Sequence, residues 1–151
     1  MIIKLNSHPI FPRLDSVGPC VKWFDWKVGG VIGKSNGRIF GNDEKLILET
    51  LPPELKSIAI DPSFSKYLPP PNIHYGISPW YGSMLFRLES ETAIYEHHTG
   101  SQVHMKKGDY YLIDLKDTFR VYDSITVEYL GIKFKNSFAD TLQICKTLGY
   151  C

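Results

Sequence analysis

The chain has 151 residues, and 17 Lys and Arg against 16 Asp and Glu leave a formal charge of +1. Its 43% hydrophobic and 13% aromatic residues can bury a core, which excludes a disordered chain and fits one ordinary domain. The balanced charge has no basic run, so no nucleic-acid surface is expected, and no apolar stretch reaches the roughly 18 residues of a membrane helix.

The N-terminal segment carries too short an apolar run for a signal peptide, with Pro9 and Pro12 close behind it. Cys20, Cys145 and Cys151 are odd in number and scattered, which gives no disulfide framework and no CxxC metal knuckle. Three reduced thiols in a cytoplasmic protein is the expectation. All ten prolines lie at or before Pro79, so long helices are hard to place in the first half. Residues 20–28 (CVKWFDWKV) read as a strand, broken by Gly29 and Gly30. Residues 42–51 offer an Asn42 cap, acidic Asp43 and Glu44, and apolar Leu46, Ile47 and Leu51. They predict a short helix stopped by Pro52 and Pro53. Residues 57–60 read as a strand, and Pro69, Pro70 and Pro71 as a stiff connector.

From Tyr81 onward short β-like runs succeed one another at 83–88, 92–97, 102–105, 110–115, 119–122 and 126–134. Turn residues separate them, including Thr99-Gly100-Ser101, Lys107-Gly108-Asp109 and Lys116-Asp117. Strands at such close spacing predict an antiparallel sandwich or barrel. Phe138, Leu142, Cys145 and Leu148 then fall on one face of an amphipathic C-terminal helix. Asn136 or Ser137 would cap its start and Gly149 its end. The expected organisation is a single domain over 1–151: an irregular, proline-rich part at 1–80, strands at 81–135 and a helix at 136–149.

The run MLFRLES, TAIYEHHTGSQVHM, KKGDYYLIDLKDTFRVY and VEYLGIKF, followed by a helix, resembles a cupin-like β-barrel. Over about 84–142 it is most similar to the N-terminal regulatory domain of AraC-type transcription regulators. There a Gly-Asp turn precedes an apolar strand ending in Asp, with an aromatic residue after it. Here these are Gly108-Asp109, residues 110–113, Asp114 and Phe119. The first 80 residues carry no resemblance. The likeness implies a mainly β, double-stranded β-helix (jelly-roll) barrel with a pocket inside and dimerisation through the C-terminal helix. The residues after that helix leave no room for a DNA-binding helix-turn-helix, so a standalone binding domain is the expectation.

Metal-dependent cupins converge His-x-His, a Glu and a later His inside the barrel, because a divalent ion needs three or four ligands. His97 and His98 are adjacent, so a continuous strand would point them to opposite faces. His98 and His104 could meet across the Gly100 turn as a weaker metal alternative, but no later His follows on 110–125. Neither a metal nor a cofactor is expected. The near P-loop at 28–35 has Val28 where the motif needs Gly, and Asn36, Gly37 and Gly41 disfavour a helix after Lys34, so it reads as a glycine-rich loop or hairpin, with anion binding by the Gly29–Lys34 amides left open.

Trp23, Trp26, Tyr75 and Trp80 are the candidates to border a ligand pocket, which favours aromatic rings with a few polar groups. Arg87, Glu89 and Glu96 are the candidate polar groups, with Arg87 weighed against a plain solvent-facing charge. No nucleophile constellation emerges around Cys20 or Ser7-His8. The leading functional expectation is a non-catalytic, small-molecule sensor or sequestering domain, dimeric through its helix. A cupin-type metal enzyme using Glu96, His98 and His104 and a protein inhibitor or immunity-type factor are the alternatives.

Overall fold

A computed structural model describes residues 1–6, 21–28, 31–39, 48–49, 51–67, 73–75, 78–124 and 127–151. For 21–28, 31–39, 61, 63–67 and 73–75 it describes the backbone alone. The early strands are β1 (Ile2–Lys4), β2 (Val21–Val28), β3 (Val31–Ile39), β4 (Ala59–Tyr67) and β5 (Ile73–Tyr75). Then come β6 (Ser83–Leu88), β7 (Thr92–His97), β8 (Gln102–Lys106), β9 (Tyr110–Asp114), β10 (Phe119–Tyr122) and β11 (Val127–Phe134). A four-residue helix, α1 (Pro53–Lys56), precedes β4, and α2 (Phe138–Thr147) closes the chain.

A 7-stranded sheet runs β1-β9-β6-β11-β4-β3-β2, and a 4-stranded sheet runs β5-β10-β7-β8. From β4 onward the pairing is nested: β4 with β11, β5 with β10, β6 with β9 and β7 with β8, all antiparallel. One long hairpin has been rolled up so that its successive strand pairs alternate between two sheets. That is the eight-stranded jelly roll, as the resemblance implied.

Alternation along the strands builds two cores. Met84, Phe86 and Leu88 of β6 join Ala93, Tyr95, Tyr111, Ile113, Phe119, Val121 and Tyr129 inside the barrel. Leu85, Leu112, Leu130, Ile132 and Phe134 face the other way and pack under Phe138 and Cys145 of α2 and Leu55 of α1. The six residues of β6 are therefore all buried, because both of its faces are covered. Ser137 caps α2 by accepting from the Asp140 N–H at 3.1 Å, and Gly149, at φ +79°, turns the chain out of it. The helix spends its apolar face on its own sheet. Ala139, Asp140, Gln143, Lys146 and Thr147 face solvent.

Three expectations change. The helical residues 48–49 give way to a bend at Leu51, before Pro52, and Pro53 then opens α1, where its fixed φ suits the first turn and its missing N–H costs nothing. Of the helix expected over 42–51, Leu48 and Glu49 are helical, Leu51 is a bend, and the rest lies outside the described residues. The strand expected over 57–60 begins at Ala59 and runs through Pro62 to Tyr67. The register with β11 slips between Gly131 and Lys133, opposite Ser63 and Ile60, so Pro62 sits in a bulge where no ladder donor is required. Pro69, Pro70 and Pro71 lie outside the described residues. Lys34 lies within β3, in a hairpin that pairs Val28 with Val31, rather than at a helix start.

Candidate functional site

The inward faces of β6 to β11 carry apolar side chains and the tyrosines Tyr95, Tyr111 and Tyr129. Phe86 stacks on Tyr129 with ring centroids 4.4 Å apart, and Tyr95 on Phe119 at 5.0 Å. The Tyr95 hydroxyl is buried with no hydrogen-bond partner among the described residues. Burial, reinforced by the charges of Asp117 and Asp114, pushes its phenol well above the ordinary tyrosine range. Among the described residues, no His and carboxylate set of the kind metal-dependent cupins use converges inside the barrel.

At the barrel rim, polar groups do gather. His97 is the last residue of β7 and shares the inward face of Tyr95. The strand ends there, so the alternation that would turn His98 away no longer applies. The His98 backbone N–H donates to the Thr118 carbonyl at 3.0 Å, and the two imidazoles lie 4.0 Å apart, centroid to centroid. Both aim at Asp117, in the turn between β9 and β10. His97 Nε2 is 2.6 Å from Asp117 Oδ2, and His98 Nε2 is 3.3 Å from Oδ1. Thr99 holds the other side of the His97 ring, with Oγ1 at 2.7 Å and the backbone N–H at 3.3 Å from Nδ1. The Met1 ammonium also reaches Asp117 Oδ2, at 2.6 Å. That bond, followed by the one from His97, holds the Asp117 carboxyl down at about 2.

The residues expected from sequence are dispersed. Trp23 and Trp26 lie on β2 and Tyr75 on β5, where the backbone places Tyr75 opposite Phe119. Trp80 is 75% exposed, in the segment before β6. Arg87 is buried but shares the outward face of Leu85, so it lies behind the barrel wall. Its Nε donates to Glu89 Oε1 at 2.5 Å, and its guanidinium lies 5.8 Å from the Tyr110 ring centroid. Glu96 lies on the outer face of the smaller sheet. There Arg120 reaches it at 2.6 Å, and bonds from Gln102 and Arg120 hold its carboxyl below the usual range. His104 is exposed on β8, across from Ile94, and away from His98.

Strand alternation sets His97 against His98, and Asp117 reads only as a turn residue, because nothing local says that a β9–β10 turn will meet the end of β7. The signal available was the strand count itself: pairing the runs at 92–97 and 119–122 antiparallel brings 97 and 117 to one end.

No family model matches the chain, and no curated protein matches it. Solved structures with a similar fold do exist. One, described as a predicted oxalate decarboxylase from Thermotoga maritima, is 14% identical over 81% of this chain and 96% of its own, with a TM-score of 0.47. A Vibrio parahaemolyticus protein of unknown function is 12% identical over 74% of this chain and 96% of its own, with a TM-score of 0.46. Salicylate 1,2-dioxygenase from Pseudoaminobacter salicylatoxidans is 10% identical over 90% of this chain and 31% of its own, with a TM-score of 0.42. The nested strand order defines the class on its own: a cupin-like jelly roll, mainly β, with a C-terminal helix. Among the described residues no helix is long and apolar enough to cross a membrane.

Proposed function

We propose that this chain is a non-catalytic small-molecule-binding domain, a sensor or sequestering module of the kind found at the N-terminus of AraC-type regulators. One observation carries the reading. The Tyr95 hydroxyl lies without a hydrogen-bond partner among the described residues, inside a barrel lined by aromatic and aliphatic side chains. A buried hydroxyl without a partner costs about 1–3 kcal/mol, and a ligand's polar group removes that cost. The ligand class is therefore a small aromatic or aliphatic molecule with one hydrogen-bonding group. Deeper in the barrel the described lining is apolar and tyrosine, and the His97–Asp117 pair stands at its rim, which supports binding over turnover. Residues 1–151 act as one unit in this reading, supported by the pairing of β1 with β9 and of β3 with β4. The same reading has the module dimerise through α2, whose outward face is polar.

Native mass spectrometry of gently purified protein tests the proposal. An organic mass that denaturation removes, and that Tyr95→Phe retains less well, supports it. A bare chain that also shows no saturable fluorescence change with small phenols and aromatic acids counts against it.

A further inference from the structure

We propose that His97, His98 and Asp117 form a binding site for one divalent transition-metal ion of the zinc class at the mouth of the barrel. Two imidazole nitrogens and a carboxylate oxygen lie within 4.8 Å of one another. Zinc bonds to nitrogen and oxygen at about 2.0–2.2 Å, so a tetrahedral ion spaces its ligand atoms roughly 3.3–3.5 Å apart. The 3.3 Å between His98 Nε2 and Asp117 Oδ1 already matches. His97 Nε2, now 2.6 Å from the other carboxylate oxygen, Oδ2, exchanges that hydrogen bond for the ion.

The surroundings hold the donors in place. The Asp117 Oδ1 atom accepts from the Thr118 N–H at 3.2 Å, and His98 is pinned through its own N–H to the Thr118 carbonyl. On binding, the His97 ring proton moves to Nδ1, where Thr99 Oγ1 at 2.7 Å accepts it in exchange for the bond that the Thr99 N–H now gives to Nδ1. Imidazole donors favour zinc, nickel, cobalt and copper over magnesium and calcium. The Met1 ammonium shares Asp117, but its residue's side chain is 68% exposed, and a divalent ion displaces or joins it. His98, 52% exposed, leaves an entry path, and water completes the coordination. The site is separate from the apolar interior and from His104, which stands on the outer face of β8.

Calorimetric titration of the chelator-treated protein with Zn²⁺, and visible absorption on adding Co²⁺, test this. The expected result is one ion per chain, with affinity lowered at least about tenfold by His98→Gln. Asp117→Asn should lower it in the same way, and His104→Gln should leave it unchanged. Circular dichroism of each variant separates lost ligation from lost folding, and exposed His98 is the substitution least able to disturb the fold. Failure to saturate near one ion, full affinity in His98→Gln, or an equal loss in His104→Gln would overturn the site.

Discussion

The hydroxyls of Ser83 and Thr141 meet at 2.8 Å between β6 and α2, where both residues are fully buried. Ser83 Oγ also donates to the Asn136 carbonyl at 3.0 Å, just before the helix begins. One strand hydroxyl thus ties down both the entry to α2 and its second turn. The order of donors follows: Thr141 gives its proton to Ser83, and Ser83 gives its own to Asn136. Removing the middle member strands two groups, and removing the end member strands fewer. Ser83→Ala is therefore expected to cost about 1–3 kcal/mol, and Thr141→Val less than half of that. Urea unfolding of the two variants, followed by circular dichroism, measures the difference, and equal losses would refute the ordering.

The same pair explains what was legible in the sequence and what was not. The strands from β6 to β11 were readable because apolar alternation and Gly or Asp turns mark both their faces and their ends. The helix was readable too, but its seam was displaced. Hydrophobic spacing centred it on Leu142, whereas Phe138, Thr141 and Cys145 are the buried residues and Leu142 is half-covered. A polar Thr at the seam makes sense only once Ser83 is known to lie opposite. Arg87 was obscure for a related reason. Alternation says which face a residue takes, but not that a second layer will cover that face. The rim cluster was hidden by the end of β7, because adjacent histidines diverge only while a strand continues.

Arg87 and Glu89 make a second prediction from that covered face. Their side chains are 7% and 11% exposed, and removing Glu89 takes a close counter-charge from a buried guanidinium. Glu89→Ala is expected to cost about 3 kcal/mol or more. Glu91 and Lys107, at 3.7 Å with side chains 78% and 59% exposed, provide the contrast. Glu91→Ala should cost under about 1 kcal/mol, since water already screens that pair. Comparable melting temperatures for the two variants would show that Arg87 is not desolvated as described.

A third prediction concerns Gly82. A Cβ built there would stand 2.3 Å from the Asn136 carbonyl oxygen and 2.9 Å from the Ser137 Cα, both backbone atoms. Its N–H donates to the Phe134 carbonyl at 3.0 Å, and its own carbonyl accepts from Leu115 at 3.0 Å. The glycine is required by close approach of the helix start, so Gly82→Ala must push α2 away from β6. The expected result is a loss of about 1–3 kcal/mol or more, as for other overpacked sites, with weakened near-ultraviolet circular dichroism. An alanine variant as stable as the parent would mean that α2 does not sit this close.

Cys145 supplies a pH dependence with a defined sign. Burial beneath α2 pushes its thiol up to about 12, with the nearby Cys151 adding to the effect. In the unfolded chain the same thiol ionises near pH 8.5. Below that value both states keep the proton, and Cys145 contributes no slope. Between it and about 12 the unfolded chain releases the proton while the folded one holds it, so stability falls as pH rises. Buried Tyr95 and Tyr150 act in the same direction from about pH 10 upward, where free tyrosine ionises. Urea midpoints should therefore decline between about pH 8 and 10, before the tyrosines titrate, and Cys145→Ala should flatten that part of the curve. Cys151→Ala, at an exposed position, should leave most of the slope in place. A parent protein whose midpoint holds constant to about pH 10 would place the Cys145 thiol in contact with water instead of under the helix.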